Sequence, residues 1–176
     1  MTTPDLDRWL AEPVIRTCHR RAAAAEPAAL WDAAQGLTVG DVGTLGRMVR
    51  WRIPDTPTAT SFRSLFSQHP FVVLQEEGGV LVSGLVGRIW TLERDYPKLA
   101  GPSEFVAWDK PRSAKVVFGH WVEQTPQGSV IVSEARAAGT DRRATLRLQA
   151  LWALVGPFER LIGGEALALA ARRAER

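Results

Sequence analysis

Cysteine is nearly absent from this chain: Cys18 stands alone among 176 residues. A single thiol excludes an intramolecular disulfide framework and a multi-cysteine zinc site. Lysine is scarce as well, confined to Lys98, Lys110 and Lys115, so the basic character rests on arginine. The net charge is only +3, and arginines come as scattered pairs (Arg20-Arg21, Arg142-Arg143, Arg172-Arg173) instead of a block. Without a basic stripe or run, nucleic acid is not an expected partner. No apolar run reaches the roughly 18 residues that a membrane-spanning helix needs. Residues 1–13 carry Asp5, Asp7, Arg8 and Glu12 and contain no signal-peptide core. Signatures of chemistry are missing too. No histidine stands at H-x-H or H-E-x-x-H spacing, no serine sits in a G-x-S-x-G elbow, and no G-x-x-x-x-G-K phosphate loop occurs. These absences predict no metal, no cofactor and no membrane insertion. The expectation is a cytoplasmic monomer or homodimer.

What is present suffices for a core. Hydrophobic residues make up 45% and charged residues 23% of the chain, which suits one domain over 1–176 with residues 1–13 as a leader. Val14, Ile15, Thr17 and Cys18 favour a first strand over 14–22. Glu26-Pro27 opens a helix, and Gly36 stops it. Leu45, Met48 and Val49, then Phe62, Leu65 and Phe66, suggest two short helices around the turn at Pro54 and Pro57. From Phe71 the pattern becomes extended. Residues 71–77 and 80–90 flank a Gly78-Gly79 hairpin turn, and strands follow over 104–109, 114–124 and 129–138.

Residues 141–176 read as one long helix with Asp141 as N-cap. Ala144, Leu148, Leu151, Val155, Phe158 and Ile162 form its apolar stripe, Gly156-Pro157 predicts a kink or a break, and Gly163-Gly164 marks a second soft point. The element order implies an α+β fold of helix-grip type. A curved antiparallel sheet of about six strands wraps around the kinked C-terminal helix, with short helices after the first strand. Gly84, Gly87 and Gly119 are expected to supply the bends. Gaps between such a sheet and its helix are natural places for apolar ligands.

Four segments carry a family likeness: Gly84-Leu85-Val86-Gly87-Arg88-Ile89-Trp90, Ala114-Lys115-Val116-Val117-Phe118, Glu134-Ala135-Arg136, and Leu151-Trp152 followed by Gly156-Pro157. In these the chain resembles the START-like, or SRPBCC, superfamily of polyketide cyclases/dehydrases and lipid-transfer proteins, within an uncharacterised bacterial branch. Where that branch reads Glu-Thr-Arg and Tyr-Trp, this chain has Ala135 and Leu151, so no role of those two hydroxyls carries over. The resemblance implies the helix-grip fold and an internal cavity, and leaves function open.

Strand alternation puts Arg88 and Trp90 on one face and Glu134 and Arg136 on another. Two readings follow. One is a polar patch within a pocket, where arginines meet an acidic or carbonyl group and Glu134 acts as orienting partner or base. The other is a structural ion-pair cluster or a solvated face. His120 alternates with Val116, Phe118 and Val122 and so faces inward, as a core imidazole or a base. His69 precedes Pro70 in a loop. His19 beside Cys18 makes no dyad, because neighbours on a strand point to opposite faces. Trp90, Trp121 and Trp152 either stack on a ring-shaped ligand or pack the core.

The leading expectation is a protein that binds a small hydrophobic or amphipathic molecule. Val116, Phe118, Val132, Trp152 and Phe158 would line the cavity, with Arg88, Glu134 and Arg136 at a polar end. The alternatives are a cyclase/dehydrase-type enzyme using His120 or Glu134 with Arg88 or Arg136, and a non-catalytic interaction module.

Overall fold

In the computed structural model, strands β1 (Ile15–Ala23), β2 (Val72–Glu77), β3 (Val80–Gly87), β4 (Ala114–Thr125) and β5 (Gly128–Gly139) form one open, curved antiparallel sheet. The structure describes residues 3–91, 93 and 95–176, without the side chains of Phe158, Arg160, Leu161 and Ile162. The strand order is β1-β5-β4-β3-β2, so β2 to β5 are a meander and β1 returns to pair with β5. The helices are α1 (Asp7–Leu10), α2 (Pro27–Gln35), α3 (Gly43–Arg52), α4 (Phe62–Ser67), α5 (Pro102–Ala107), α6 (Arg142–Ile162) and α7 (Glu165–Ala174). No helix among the described residues is long and apolar enough to cross a membrane.

The sheet has five strands where about six were expected from repeated extended patterns. Residues 104–109 are the difference. Pro102 occupies the first turn of α5, Glu104 lies beside it, and the Glu104 carboxylate accepts the Ala100 backbone N–H at 2.6 Å. A proline already set for helix and a side chain that caps the preceding backbone outweigh the strand preference of Phe105 and Val106. β3 also ends at Gly87 instead of running to Trp90.

The C-terminal helix breaks later than its Gly156-Pro157 pair suggests. α6 runs through Pro157, and the interruption falls at Gly163-Gly164, where the Gly163 N–H closes the helix on the Glu159 carbonyl at 2.7 Å. Proline inside a helix loses one hydrogen bond, but the chain continues where neighbouring turns hold it. α7 then packs against α2 and β1, separately from α6.

Strand pairing sorts the side chains onto two faces. On the outer face, Val82 and Val86 of β3, Val117 and Trp121 of β4 and Val132 of β5 form a buried layer with Leu6, Trp9, Phe105 and Trp108. The leader is therefore structural, since Leu6 and Trp9 belong to the core. Two of the glycines expected to bend the sheet make room for side chains packed on it. A Cβ at Gly84 would stand 2.6 Å from the Phe105 ring, and one at Gly119 would stand 3.0 Å from the Leu6 methyls. α1 and α5 thus lie close against the outer face.

That close approach predicts a specific stability pattern. Gly84→Ala should destabilise the fold by about 1–3 kcal/mol through overpacking, read by urea denaturation. Combined with Phe105→Leu, the substitution should cost less than the sum of the two single changes. Additive losses would show that the ring does not depend on this gap.

Candidate functional site

The inner face of the sheet is not filled. It bounds a cavity of about 500 Å³ roofed by α2, α3, α4, α6 and α7. Cross-strand registry arranges its floor in rows. Ile15, Ala137, Val116 and Leu85 form one row, and Thr17, Ala135, Phe118 and Ser83 the next. His19, Ser133, His120 and Leu81 form the third. All of these except Ser83 line the cavity.

Aromatic side chains make one wall. Phe66 of α4 is its hub, with ring centroids 5.0 Å from Phe71, 5.5 Å from Phe118 and 4.5 Å from His120. These separations fall in the range of favourable tilted and edge contacts. Helix α4 is held there because Ser61 caps it on the Ser64 N–H and the buried Ser83 hydroxyl donates to the Phe66 carbonyl at 2.7 Å. Helix α3 is positioned by its neighbour in space. The Glu165 carboxylate accepts the backbone N–H groups of Gly43 at 2.7 Å and Leu45 at 3.0 Å. These hydrogen bonds, the Leu45 one foremost, hold the Glu165 carboxyl below its ordinary range.

The expected site residues divide between the two faces. Val116, Phe118, His120 and Trp152 line the cavity. Val132 does not: it alternates to the outer face and packs under α1 and α5. Glu134 and Arg136 alternate with it. Arg16 grips the Glu134 carboxylate through two hydrogen bonds, 2.9 and 3.0 Å, and Arg136 Nε donates to the same group at 2.6 Å. Arg136 also donates to Asp7 and to the Leu10 carbonyl of α1. Arg136 is among the residues bordering the cavity, but its guanidinium is committed to Glu134, Asp7 and the Leu10 carbonyl. Burial works against the charged Glu134, and the arginine hydrogen bonds outweigh it, so its pKa falls below the ordinary carboxylate value. This cluster fastens the leader to the sheet.

Arg88 follows the end of β3, half-exposed and ion-paired with Asp95 at 2.8 Å. Trp90 packs beside the cluster around Leu85 and Trp152, but is not among the lining residues. Both lie past Gly87, where strand alternation no longer applies. The Phe158 side chain lies outside the described residues.

Several lining residues were not anticipated. Phe62, Phe66, Met48 and Arg52 come from α3 and α4, whose apolar spacing was legible while their destination was not. His19 lines the cavity from β1, and its Nε2 lies 2.7 Å from Glu159 Oε1. The signal for Glu159 is positional. It follows Leu148, Trp152 and Val155 at helical spacing, so the cavity-facing stripe passes through Glu159. Gly163, one turn on, leaves the space in which this pair meets, since a Cβ there would collide with His19 Nε2.

His120 sits in the cavity wall against Phe66, and its buried Nε2 has no hydrogen-bond partner. Burial pushes its pKa down to about 4. The imidazole is neutral at pH 7 and can act as hydrogen-bonding group or base, not as a cation. Among the described residues no group of three or more potential ligand side chains could hold a metal ion.

No protein-family model and no curated protein matches this chain. Among solved structures, protein MLL2253 from Mesorhizobium loti is similar at 12% identity and a TM-score of 0.42, covering 90% of this chain and 98% of its own. TTHA0849 from Thermus thermophilus is similar at 10% identity and a TM-score of 0.35, covering 91% and 97% respectively.

Two pH-linked outcomes follow. His120 binds protons less readily folded than unfolded, so the unfolded chain takes up more protons between about pH 6.5 and 4. Its contribution to stability is complete above that window and is lost as pH falls through it, by up to about 3 kcal/mol. His120→Phe should flatten this part of the stability profile measured by denaturant titration. Glu134 has the same sign at lower pH. Its stabilisation is present above the ordinary carboxylate pKa of about 4.3 and disappears as pH drops through its depressed folded value. Glu134→Gln should remove that acid-labile component without changing the cavity, as checked by thermal melts from pH 5 to 2.5.

Proposed function

We propose that this protein binds a small hydrophobic or amphipathic molecule in the cavity between sheet and helices, in a START-like helix-grip arrangement. The observation that carries the reading is the cavity itself, about 500 Å³ and walled largely by aromatic and aliphatic side chains. That size falls within the usual range for small-molecule sites. Apolar ligand surface moved from water into it gains about 25 cal/mol per Å² before ordering costs. A cavity left lined but unfilled forfeits packing contacts, so its retention costs stability and a ligand restores them.

The cyclase/dehydrase-type alternative keeps one of its expected groups. His120 is neutral and faces the interior, as a base acting on a bound carbonyl must. Glu134 and Arg136 are engaged on the other face, and Arg88 is ion-paired beyond the strand end, so none of them converges with His120. Binding without chemistry therefore accounts for more of the site. For the interaction-module alternative, α1 and α5 cover the outer face over the middle of the sheet, which leaves the outer side of β1 exposed.

Filling the cavity tests the proposal. Ala135, opposite Phe118 on the floor, is a lining position with space above it. At 100 times its dissociation constant, a ligand adds about 2.7 kcal/mol, or roughly 5–10 °C in Tm for a domain of this size. A panel of aromatic, isoprenoid and fatty compounds should produce such shifts in the unaltered protein. Ala135→Phe should abolish them while leaving the unliganded protein equally or more stable. Equal shifts in both proteins would place binding elsewhere.

A further inference from the structure

One row of the cavity floor is mostly polar, while Thr17 in the next row and Gln35 of α2 are further uncharged polar residues of the lining. His120, Ser133 and His19 are direct cross-strand neighbours on β4, β5 and β1, all on the inner face. Such neighbours have Cβ atoms about 5 Å apart, so the three form a continuous strip across the floor. The row on one side holds Phe118, Ala135 and Thr17, and Ile131 lies beyond the other. Glu159 closes the strip from above, with Oε1 on His19 Nε2 at 2.7 Å. Its second oxygen, Oε2, is buried without a partner. With Oε1 held by His19, Oε2 is the acceptor left for a guest's donor.

Among the described residues, the arginines that border the cavity are occupied. Arg63 pairs with Glu76 at 2.7 Å, and the Arg136 guanidinium is bound on the outer face. Arg52 donates to the Ile89 carbonyl at 3.1 Å and lies 4.9 Å over the Tyr96 ring, beyond the Leu85 end of the floor. Leu85 is four residues along β3 from Leu81, which stands in the polar row, or about 13 Å at strand rise. A guest lying along the floor therefore meets an unsatisfied acceptor at that row, not a free positive charge.

We infer that the cavity takes an alcohol or an amine: an apolar ring or chain against the Phe66 wall, with its O–H or N–H head donating to Glu159 beside His19. A carboxylate head on the same body meets like charge there and is disfavoured. This rests on the binding reading above and reverses the expectation, drawn from the arginines, of an acidic or carbonyl ligand group.

Four probes sharing one ring system provide the test: 2-naphthol, 2-naphthylmethylamine, 2-naphthoate and 2-methylnaphthalene, titrated calorimetrically into the full chain at pH 7.5. The naphthol and the amine should bind about tenfold or more tightly than naphthoate, the scale of one charge-assisted hydrogen bond. Glu159→Gln should remove most of that gap. Naphthoate binding as tightly as the other two, or a gap that survives Glu159→Gln, overturns the head-group assignment while leaving the cavity reading intact. No binding by any of the four, methylnaphthalene included, overturns the cavity reading itself. Should Glu159→Gln fail to fold, the carboxyl carbon resonance of Glu159 in labelled native protein decides. A shift with naphthol and none with methylnaphthalene supports the assignment, and no difference between them overturns it.

Discussion

The structure depends on a sheet whose central strands are apolar on both faces. Val82, Val117 and Val132 on one side and Leu81, Val116 and Ile131 on the other are all buried, so neither face can be left to water. The two faces are covered in different ways. Outside, α1 and α5 press side chains into the gaps at Gly119 and Gly84, and the layer is tight. Inside, five helices span the curved surface, and their side chains reach its aromatic lining without filling the centre. A concave face bridged from its edges encloses volume for geometric reasons, whatever later enters it.

Polar contacts hold that bridge at its ends. Glu165 ties the start of α7 to the start of α3, Arg173 of α7 binds Asp41 just before α3 at 2.6 Å, and Asp141 caps α6 through the Ala144 N–H at 2.7 Å. His19 and Glu159 join β1 to the last turn of α6. Of these, the His19–Glu159 contact is the one whose two partners both line the cavity. Free hydrogen-bonding capacity separates structure from site among the charged residues. Glu134 with Arg16 and Arg136 anchors the leader, and both its oxygens are taken up by the two arginines, whereas Glu159 keeps one oxygen without a partner.

Much of the fold was legible from residue pattern. The β2–β5 meander, the first strand, the short helices after it and the helical C-terminus all follow from periodicity and turn residues. Residues 104–109 were misread because Phe105 and Val106 favour strand locally, while Pro102 and the Glu104 cap decide for helix. At the candidate site, period-two alternation correctly put Val116, Phe118 and His120 on one face of β4. It could not tell which face of β5 was inner, because Val132 and Ile131 are equally apolar and both buried. That ambiguity sent Val132, Glu134 and Arg136 to the wrong side.

By itself, the sequence determined most of the extended and helical segments, residues 104–109 apart, and that no intramolecular disulfide holds them, because those properties are set largely by neighbours a few residues away. Only the tertiary structure decided which face of each strand turns inward, which of the two glycine-containing soft points breaks the terminal helix, and that Glu159 meets His19. These depend on strand registry and on the closeness of elements far apart in the chain, where a single residue's step reverses the direction of every side chain.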